Sequence, residues 1–285
     1  MENRIRNLII GKRSNLSRSL HKILDDAYII STDEFLKNKS HHKSIDKNAK
    51  INVIINSFFP ASFISKKNIS SAEKEKLSVK NLENILNNLK KNFKNISKIV
   101  YTSSSSVYGD IEHCSEEKRE LQPLNLYGKL KLQSENQITE FCSMEEIPFT
   151  ICRVFNMYGA YDNFSVIHKI INAFNTGKKL SIYNSGKSSR DFIHVDDVSN
   201  CYKKLLLVPS PNILNIGTGK KYSIKDLVRL CHSKDIFNFN KDIRIEAASV
   251  YADIGLLKKT IQTVKFISVE DYLRKIFDEK SFTNH

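Results

Sequence analysis

The sequence predicts an α/β protein: a doubly wound parallel sheet followed by a smaller C-terminal α/β lobe. Over residues 1–156, short runs rich in Ile and Val alternate with helical stretches, the pattern of strands joined by helical crossovers. Those runs are apolar almost throughout, as strands covered on both faces are. After residue 156 the strands shorten and the spacing loosens, which predicts a second unit over 157–285 into which the first can send later segments.

Taken in order, NLIIG (7–11) is a buried strand and Leu16 to Leu24 an amphipathic helix. AYIIS (27–31) is the second strand and INVIINS (51–57) the third, rich in β-branched residues. Residues 33–50 between them are polar and read as a loop with a helical turn. The His41–His42 pair there reads as solvated loop rather than metal site. Residues 75–92 carry Leu77, Leu82, Ile85, Leu86 and Leu89 at helical spacing. KIVYTS (98–103) is a strand, 128–144 a long helix, and FTICRVFN (149–156) a strand again. The second unit offers a helix near Val166 to Asn175, an extended KLSIY (179–183), and DFIHV (191–195) leading into a helix that Asp196 and Asp197 would cap. LNIGTG (214–219) ends a short strand. Ser223 opens a further helix with Asp226 in capping-box position, and the last helix begins near Ser268. No internal repeat is seen.

With 285 residues and 40% hydrophobic content, the chain can bury a large core. It has no apolar run of the roughly 18 residues a membrane span needs. Near the start only Leu8 to Ile10 are apolar in succession, so no secretory leader is expected. Five scattered cysteines, none spaced as CxxC, fit a reducing cytoplasm and neither a zinc site nor a disulfide frame. The net charge of +14 either attracts polyanions and phosphorylated ligands or reflects a composition crowded with Lys, Asn and Ile. The even spread of lysines favours the second, and no nucleic-acid-binding motif is present.

Three features concentrate chemistry. The strand KIVYTS runs into SSSSVYGD, placing hydroxyls at a strand's carboxyl end. Tyr127 and Lys131, four residues apart, share one face of the next helix. A glycine-containing turn, GKRSNLS, follows the first strand. Parallel sheets bind ligands beyond those carboxyl ends, where strand order reverses.

With RVFNMYG (153–159), RDFIHVDDV (190–198) and LNIGTG (214–219), these motifs resemble the extended short-chain dehydrogenase/reductase family, the NAD-dependent epimerase/dehydratase branch that modifies nucleotide sugars. The resemblance covers nearly the whole chain. It implies a Rossmann-like dinucleotide-binding domain over 1–156, a mainly substrate-binding lobe over 157–285, NAD or NADP as cofactor, and a nucleotide sugar as substrate. Ser104, Tyr127 and Lys131 would be catalytic. Free tyrosine titrates at about pH 10, too high for a base at neutrality, and a nearby ammonium would lower it. The cofactor would meet Gly11, Lys12, Arg13, Ser14, Asn15, Leu16, Ser57 and Phe155, besides Tyr127 and Lys131. The substrate would meet Ser105, Ser106, Asn156, Tyr183, Arg190 and Arg244, with the arginines on the diphosphate. The bland alternative for Arg190 is an ion pair with Asp191. Family 4,6-dehydratases carry two acids beside the catalytic hydroxyl. Ser105 and Ser106 stand there instead, which points to 4-epimerisation or keto-sugar reduction.

Three departures matter. The family's GxxGxxG turn is here Gly11, Ser14 and Ser17, and Cβ atoms at the last two positions bear on whether a pyrophosphate can approach. The acid expected after strand two is replaced by Ser31, with Asp33 two residues on. Together with Lys12 and Arg13 this weighs toward NADP, whereas an acid would favour NAD. Ser78 also departs from the family's usual Asn. The alternative class is a relative that has lost catalysis and binds a nucleotide or a partner. A homodimer through the helices at 75–92 and 128–144 is implied, although their apolar positions would serve equally well facing the sheet.

Overall fold

Runs of β-branched residues with no polar face can be satisfied only between two helical layers, and six of them assemble in that way. The structure, a computed structural model, describes residues 6–37, 49–56, 68–116, 120–231, 234–242, 246–262 and 265–281. His41, His42, Ser57 and Arg244 lie outside the described residues. The sheet comprises β1 (Arg6–Ile10), β2 (Ala27–Ile30), β3 (Ile51–Ile55), β4 (Ile96–Ser104), β5 (Phe149–Val154) and β6 (Ile213–Ile216). All its pairings are parallel, in the order β6-β5-β4-β3-β1-β2. The chain therefore winds one way from β1 to β2 and the other way from β3 onward. The strand order switches between β1 and β3, the crevice where such folds take ligands.

Successive strand residues point to opposite faces. Leu8, Ile10, Val53, Ile55, Ile99, Tyr101 and Ile151 face one side. There they pack on α2 (Thr32–Lys37), α3 (Ser71–Asn92) and α4 (Leu126–Met144) through Phe35, Leu82, Ile85, Leu86, Leu89, Ile138 and Cys142. The intervening Ile9, Ile54, Val100 and Cys152 face the other side. They meet α1 (Asn15–Ile23), α6 (Val195–Leu205) and α8 (Gly255–Ile261). Segments beyond residue 156 thus return to the first unit: β6 lies at the sheet's edge, and α6 and α8 cover one face.

The apolar stripe of 75–92 faces the sheet. Of its five predicted positions only Leu77 is exposed, and among the described residues the outward side of α3 carries polar Lys80, Glu83, Asn84 and Asn87. A separate core of Tyr158, Ile167, Ile170, Phe192, Leu227, Val228, Leu273 and Phe277 holds the second lobe. It is built on α5 (Val166–Thr176), α7 (Ile224–Arg229) and α9 (Val269–Ser281). Short polar side chains end the backbone's unmet N–H groups as expected. Ser14, Ser70, Asn125, Ser165 and Ser223 cap α1, α3, α4, α5 and α7.

At α6 the expectation fails. The His194 ring, through Nδ1, accepts from the Asp196 N–H at 3.2 Å and caps the helix. Asp196 and Asp197 lie in its first turn, and Asp197 instead accepts from the Ile267 N–H at 2.8 Å. No described helix is long and apolar enough to cross a membrane.

Candidate active site

One cleft of about 1370 Å³ runs along the carboxyl ends of the strands and on into the second lobe. At one end lie Gly11, Lys12, Arg13, Ser14, Asn15 and Leu16, with Ser31 and Asp33 after β2. Ser104, Tyr127, Lys131 and Phe155 line its middle, and Asn156, Tyr183 and Arg190 its far end.

The turn after β1 starts from Gly11 at φ 121, a left-handed value open to glycine, and leads straight into α1. The Asn15 side chain ties this turn to the second lobe. It donates to the Gly159 carbonyl at 2.8 Å and accepts from the Tyr161 N–H at 3.1 Å. Tyr161 in turn lies beneath Arg18 and Lys22, 5.2 and 4.9 Å from its ring centroid.

The catalytic candidates are brought together by close contact. At Gly128 an added Cβ would sit 2.5 Å from the Ser106 carbonyl oxygen and 2.8 Å from Pro123 Cβ. The glycine of YGK therefore lets the start of α4 press against the 3₁₀ turn Ser105–Tyr108. That turn changes the role of the serine run. Ser105 and Ser106 do not line the cleft, because the chain coils at Ser105 and folds Ser106 back on Ser104. Ser106 donates to Ser104 Oγ through its backbone N–H at 3.2 Å and its hydroxyl at 3.0 Å. Ser104 accepts both, so its own proton points onward, and it hydrogen-bonds the Tyr127 phenol.

The electrostatics differ from the sequence expectation. Burial pushes Tyr127 above its ordinary value, with the Ser104 hydrogen bond opposing it. The net lowering expected from Lys131 is reversed, since desolvation disfavours a phenolate. Lys131 is 3% exposed, donates to the Thr102 carbonyl at 2.6 Å, and lies 5.0 Å from the Tyr101 ring centroid. Burial pushes its amine down to about 7, against the pull of Glu135 one turn on.

This shift fixes a pH dependence. An unfolded lysine titrates near 10.5, so between about 7 and 10.5 the unfolded chain holds a proton that the folded one has released. Stability conferred at this site therefore rises with pH across that window. Lys131→Met is expected to gain stability over the unsubstituted protein as pH falls from 10.5 to 7, with a constant gap below. Urea unfolding of both proteins across that range measures it, and a gap independent of pH contradicts the buried amine.

In the second lobe, the Asn156 amide donates to the Asp191 carbonyl at 3.3 Å. Arg190 is not paired with Asp191. That carboxylate is fully buried and accepts from Thr218 N–H and O–H, Gly219 N–H and Ala252 N–H. Arg190 meets Glu246 instead, at 3.3 Å. Glu246 also lines the cleft and accepts from Ser188 Oγ at 2.6 Å and Asn184 Nδ2 at 2.9 Å.

A sequence model of the NAD dependent epimerase/dehydratase family matches residues 8–217. The chain belongs to this family. Similar curated proteins include an uncharacterized UDP-glucose epimerase of Bacillus subtilis, 30% identical over 188 residues, which are 62% of this chain and 58% of that one. A dTDP-D-glucose 4,6-dehydratase of Dictyostelium discoideum is 30% identical over 49% of this chain and 35% of its own. An ADP-L-glycero-D-manno-heptose-6-epimerase of Brachyspira hyodysenteriae is 26% identical over 76% of each. The match thus spans little more than half the length of the first of these relatives.

Two solved structures show the same fold over nearly whole chains. The UDP-glucuronic acid 4-epimerase of Bacillus cereus, in complex with UDP-glucuronic acid and NAD, gives a TM-score of 0.76 at 21% identity, covering 98% of this chain and 99% of that one. The UDP-N-acetylglucosamine 4-epimerase of Methanobrevibacter ruminantium, in complex with UDP-N-acetylmuramic acid, gives 0.78 at 20%, covering 98% of each.

As an epimerase/dehydratase family member the chain implies a dinucleotide, and the residues present fit one. The left-handed Gly11 turn opens onto the amino terminus of α1, whose first-turn N–H groups and positive dipole end suit an anion. The cleft is continuous from there to Tyr127 and Lys131. Of the two acids after β2, Glu34 is occupied elsewhere: it accepts from Ser31 N–H and O–H at 3.0 and 2.8 Å, closing a capping box on α2. Asp33 lines the cleft.

Asn56, Asn81 and Glu246 are among the cleft residues not expected from the sequence. Asn56 ends the apolar run of β3 and was signalled by a polar residue at a buried strand's carboxyl end, the same cue that drew attention to Ser104. Asn81 lies on α3 one turn past Ser78, and Glu246 stands in a region without periodicity.

Proposed function

We propose that the protein is an NAD(P)-dependent enzyme that transfers hydride at the sugar of a nucleotide-linked substrate, as a 4-epimerase or a keto-sugar reductase. One observation carries this reading: Ser104, Tyr127 and Lys131 line the middle of a single cleft whose ends are the Gly11 turn and the Asn156–Arg190 surface.

A bound nicotinamide supplies the hydride donor or acceptor and, when oxidised, a positive charge near the phenol. The chain's own residues do the rest. Tyr127 gives or takes the proton of the sugar oxygen at its phenol oxygen. Its raised affinity for that proton makes it a donor at neutral pH, the form a keto-sugar oxygen needs. Ser104, with both acceptor positions used by Ser106, has one proton to give: it goes to the Tyr127 phenol in the free protein and would turn to the sugar oxygen when substrate is present. Lys131 holds its amine beneath them and would reach the nicotinamide ribose.

Gly11 to Leu16, with Ser57 and Phe155, would hold the dinucleotide. Asn156, Arg190 and Arg244 would hold the nucleotide diphosphate, and Tyr183 would pack against the base. Because Arg190 already faces Glu246, a diphosphate there would have to displace that carboxylate. A homodimer through the outward faces of α3 and α4 completes the proposal, and light scattering tests it.

Incubation with UDP-, dTDP- and ADP-linked hexoses tests the chemistry. An epimerase interconverts sugars with no net change in reduced-nicotinamide absorbance, whereas a reductase consumes the reduced cofactor stoichiometrically. Absence of turnover together with absence of dinucleotide binding at millimolar concentration would refute the assignment.

A further inference from the structure

We propose that Asn56 is the positioning residue that makes a turn lacking two of the three expected glycines competent for a dinucleotide, by aiming the Ser14 hydroxyl at the pyrophosphate. This rests on the dinucleotide reading above and goes beyond it.

In a GxxGxxG turn the second glycine lets the phosphate approach the backbone, and the third lets the helix pack on the strand. Serines at 14 and 17 bring two hydroxyls into that space. Ser17 is fully buried, so its hydroxyl requires a partner. Both serines meet the same group. Asn56 follows β3, beside β1 in the sheet, and its backbone N–H extends the ladder to the Ile10 carbonyl at 2.9 Å. Its side-chain amide donates to Ser14 Oγ at 2.6 Å and to Ser17 Oγ at 2.9 Å. A primary amide has two N–H donors, and each goes to one of the serines.

The consequence falls on Ser14. Its oxygen accepts from Asn56 and, at 3.5 Å, from the Ser17 N–H that it caps. With both lone pairs engaged, the Ser14 hydroxyl can act only as a donor. Ser14 and Asn56 both line the cleft, at the amino terminus of α1. The lost backbone approach is thus replaced by an oriented O–H donor, suited to an anionic phosphate oxygen. Positions 14, 17 and 56 act as one unit.

Calorimetric titration of NAD and NADP against the full chain tests this, with thermal melts to confirm folding. Asn56→Ala is expected to weaken dinucleotide binding about five- to tenfold, the loss of one oriented hydrogen bond. Asn56→Asp weakens it further, because a carboxylate draws the serine protons inward and adds negative charge. Ser14→Ala, which removes only the hydroxyl, matches Asn56→Ala and keeps the test open where an Asn56 variant does not fold. In the Ser14→Gly/Ser17→Gly background, Asn56→Ala has little effect, since no hydroxyl is left to aim. An equal loss in both backgrounds, or Ser14→Ala and Asn56→Ala binding as tightly as the unsubstituted protein, overturns the proposal while leaving the dinucleotide reading intact. Failure of the unsubstituted protein to bind either dinucleotide overturns both.

Discussion

Tyr127→Phe is expected to lower turnover of the nucleotide sugar by about a hundred- to ten-thousand-fold, the usual contribution of a positioned acid or base. The substitution keeps the ring and deletes one oxygen. What disappears is the group that exchanges the sugar's proton, together with the acceptor for Ser104. The phenol is already disfavoured as an anion by its surroundings. Removing it therefore leaves no buried charge unpaired, and stability should change by less than about 1 kcal/mol. The diagnostic result is the split: kcat collapses while dinucleotide affinity and the melting temperature stay close to those of the unsubstituted protein. Measured kcat at saturating sugar, beside a thermal melt, decides it. A variant retaining a tenth or more of the activity would show that another group moves the proton.

How much of this was legible in the sequence follows from the range of the forces involved. The sheet was readable because a strand covered on both faces needs apolar residues at every position, and NLIIG, INVIIN and FTICRV supply them locally. The Tyr127–Lys131 spacing was readable because a helix sets it within one turn. Other features depend on neighbours far along the chain. Asn56 reaches Ser14 and Ser17 across 42 and 39 residues. Asp191 looked like a surface partner for Arg190, yet four donors from residues 218, 219 and 252 enclose its carboxylate. The direction of the Tyr127 shift was misjudged for the same reason: adjacency to a lysine is local, whereas burial is a property of the folded whole. At α6 two acids in sequence looked like caps, but the preceding His194 ring was already in position.

The largest stability effect is expected beneath the site, at Glu135 and Arg153. Both side chains are almost wholly buried, and they join through Arg153 Nη2 to Glu135 Oε2 at 2.7 Å and Nε to Oε1 at 3.1 Å. Ser103, beside Ser104 and paired with Arg153 across β4 and β5, donates to Glu135 at 2.5 Å. The Arg153 guanidinium also lies 4.8 Å from the Tyr108 ring centroid, and Glu135 holds it well above the ordinary arginine range against the cost of burial. Removing one partner leaves the other charge in the core without compensation. Arg153→Met and Glu135→Leu are therefore each expected to cost about 3–5 kcal/mol in urea unfolding, whereas replacing both together costs far less than the sum. Glu135→Leu has a second readout. That carboxylate is the influence holding Lys131 up against burial, so its loss moves the Lys131 titration further below about 7. The pH at which Lys131→Met ceases to gain on its parent protein should fall by the same amount. Additive single and double losses, or an unmoved Lys131 titration, would mean that the pair fills space under the cleft without setting its charge.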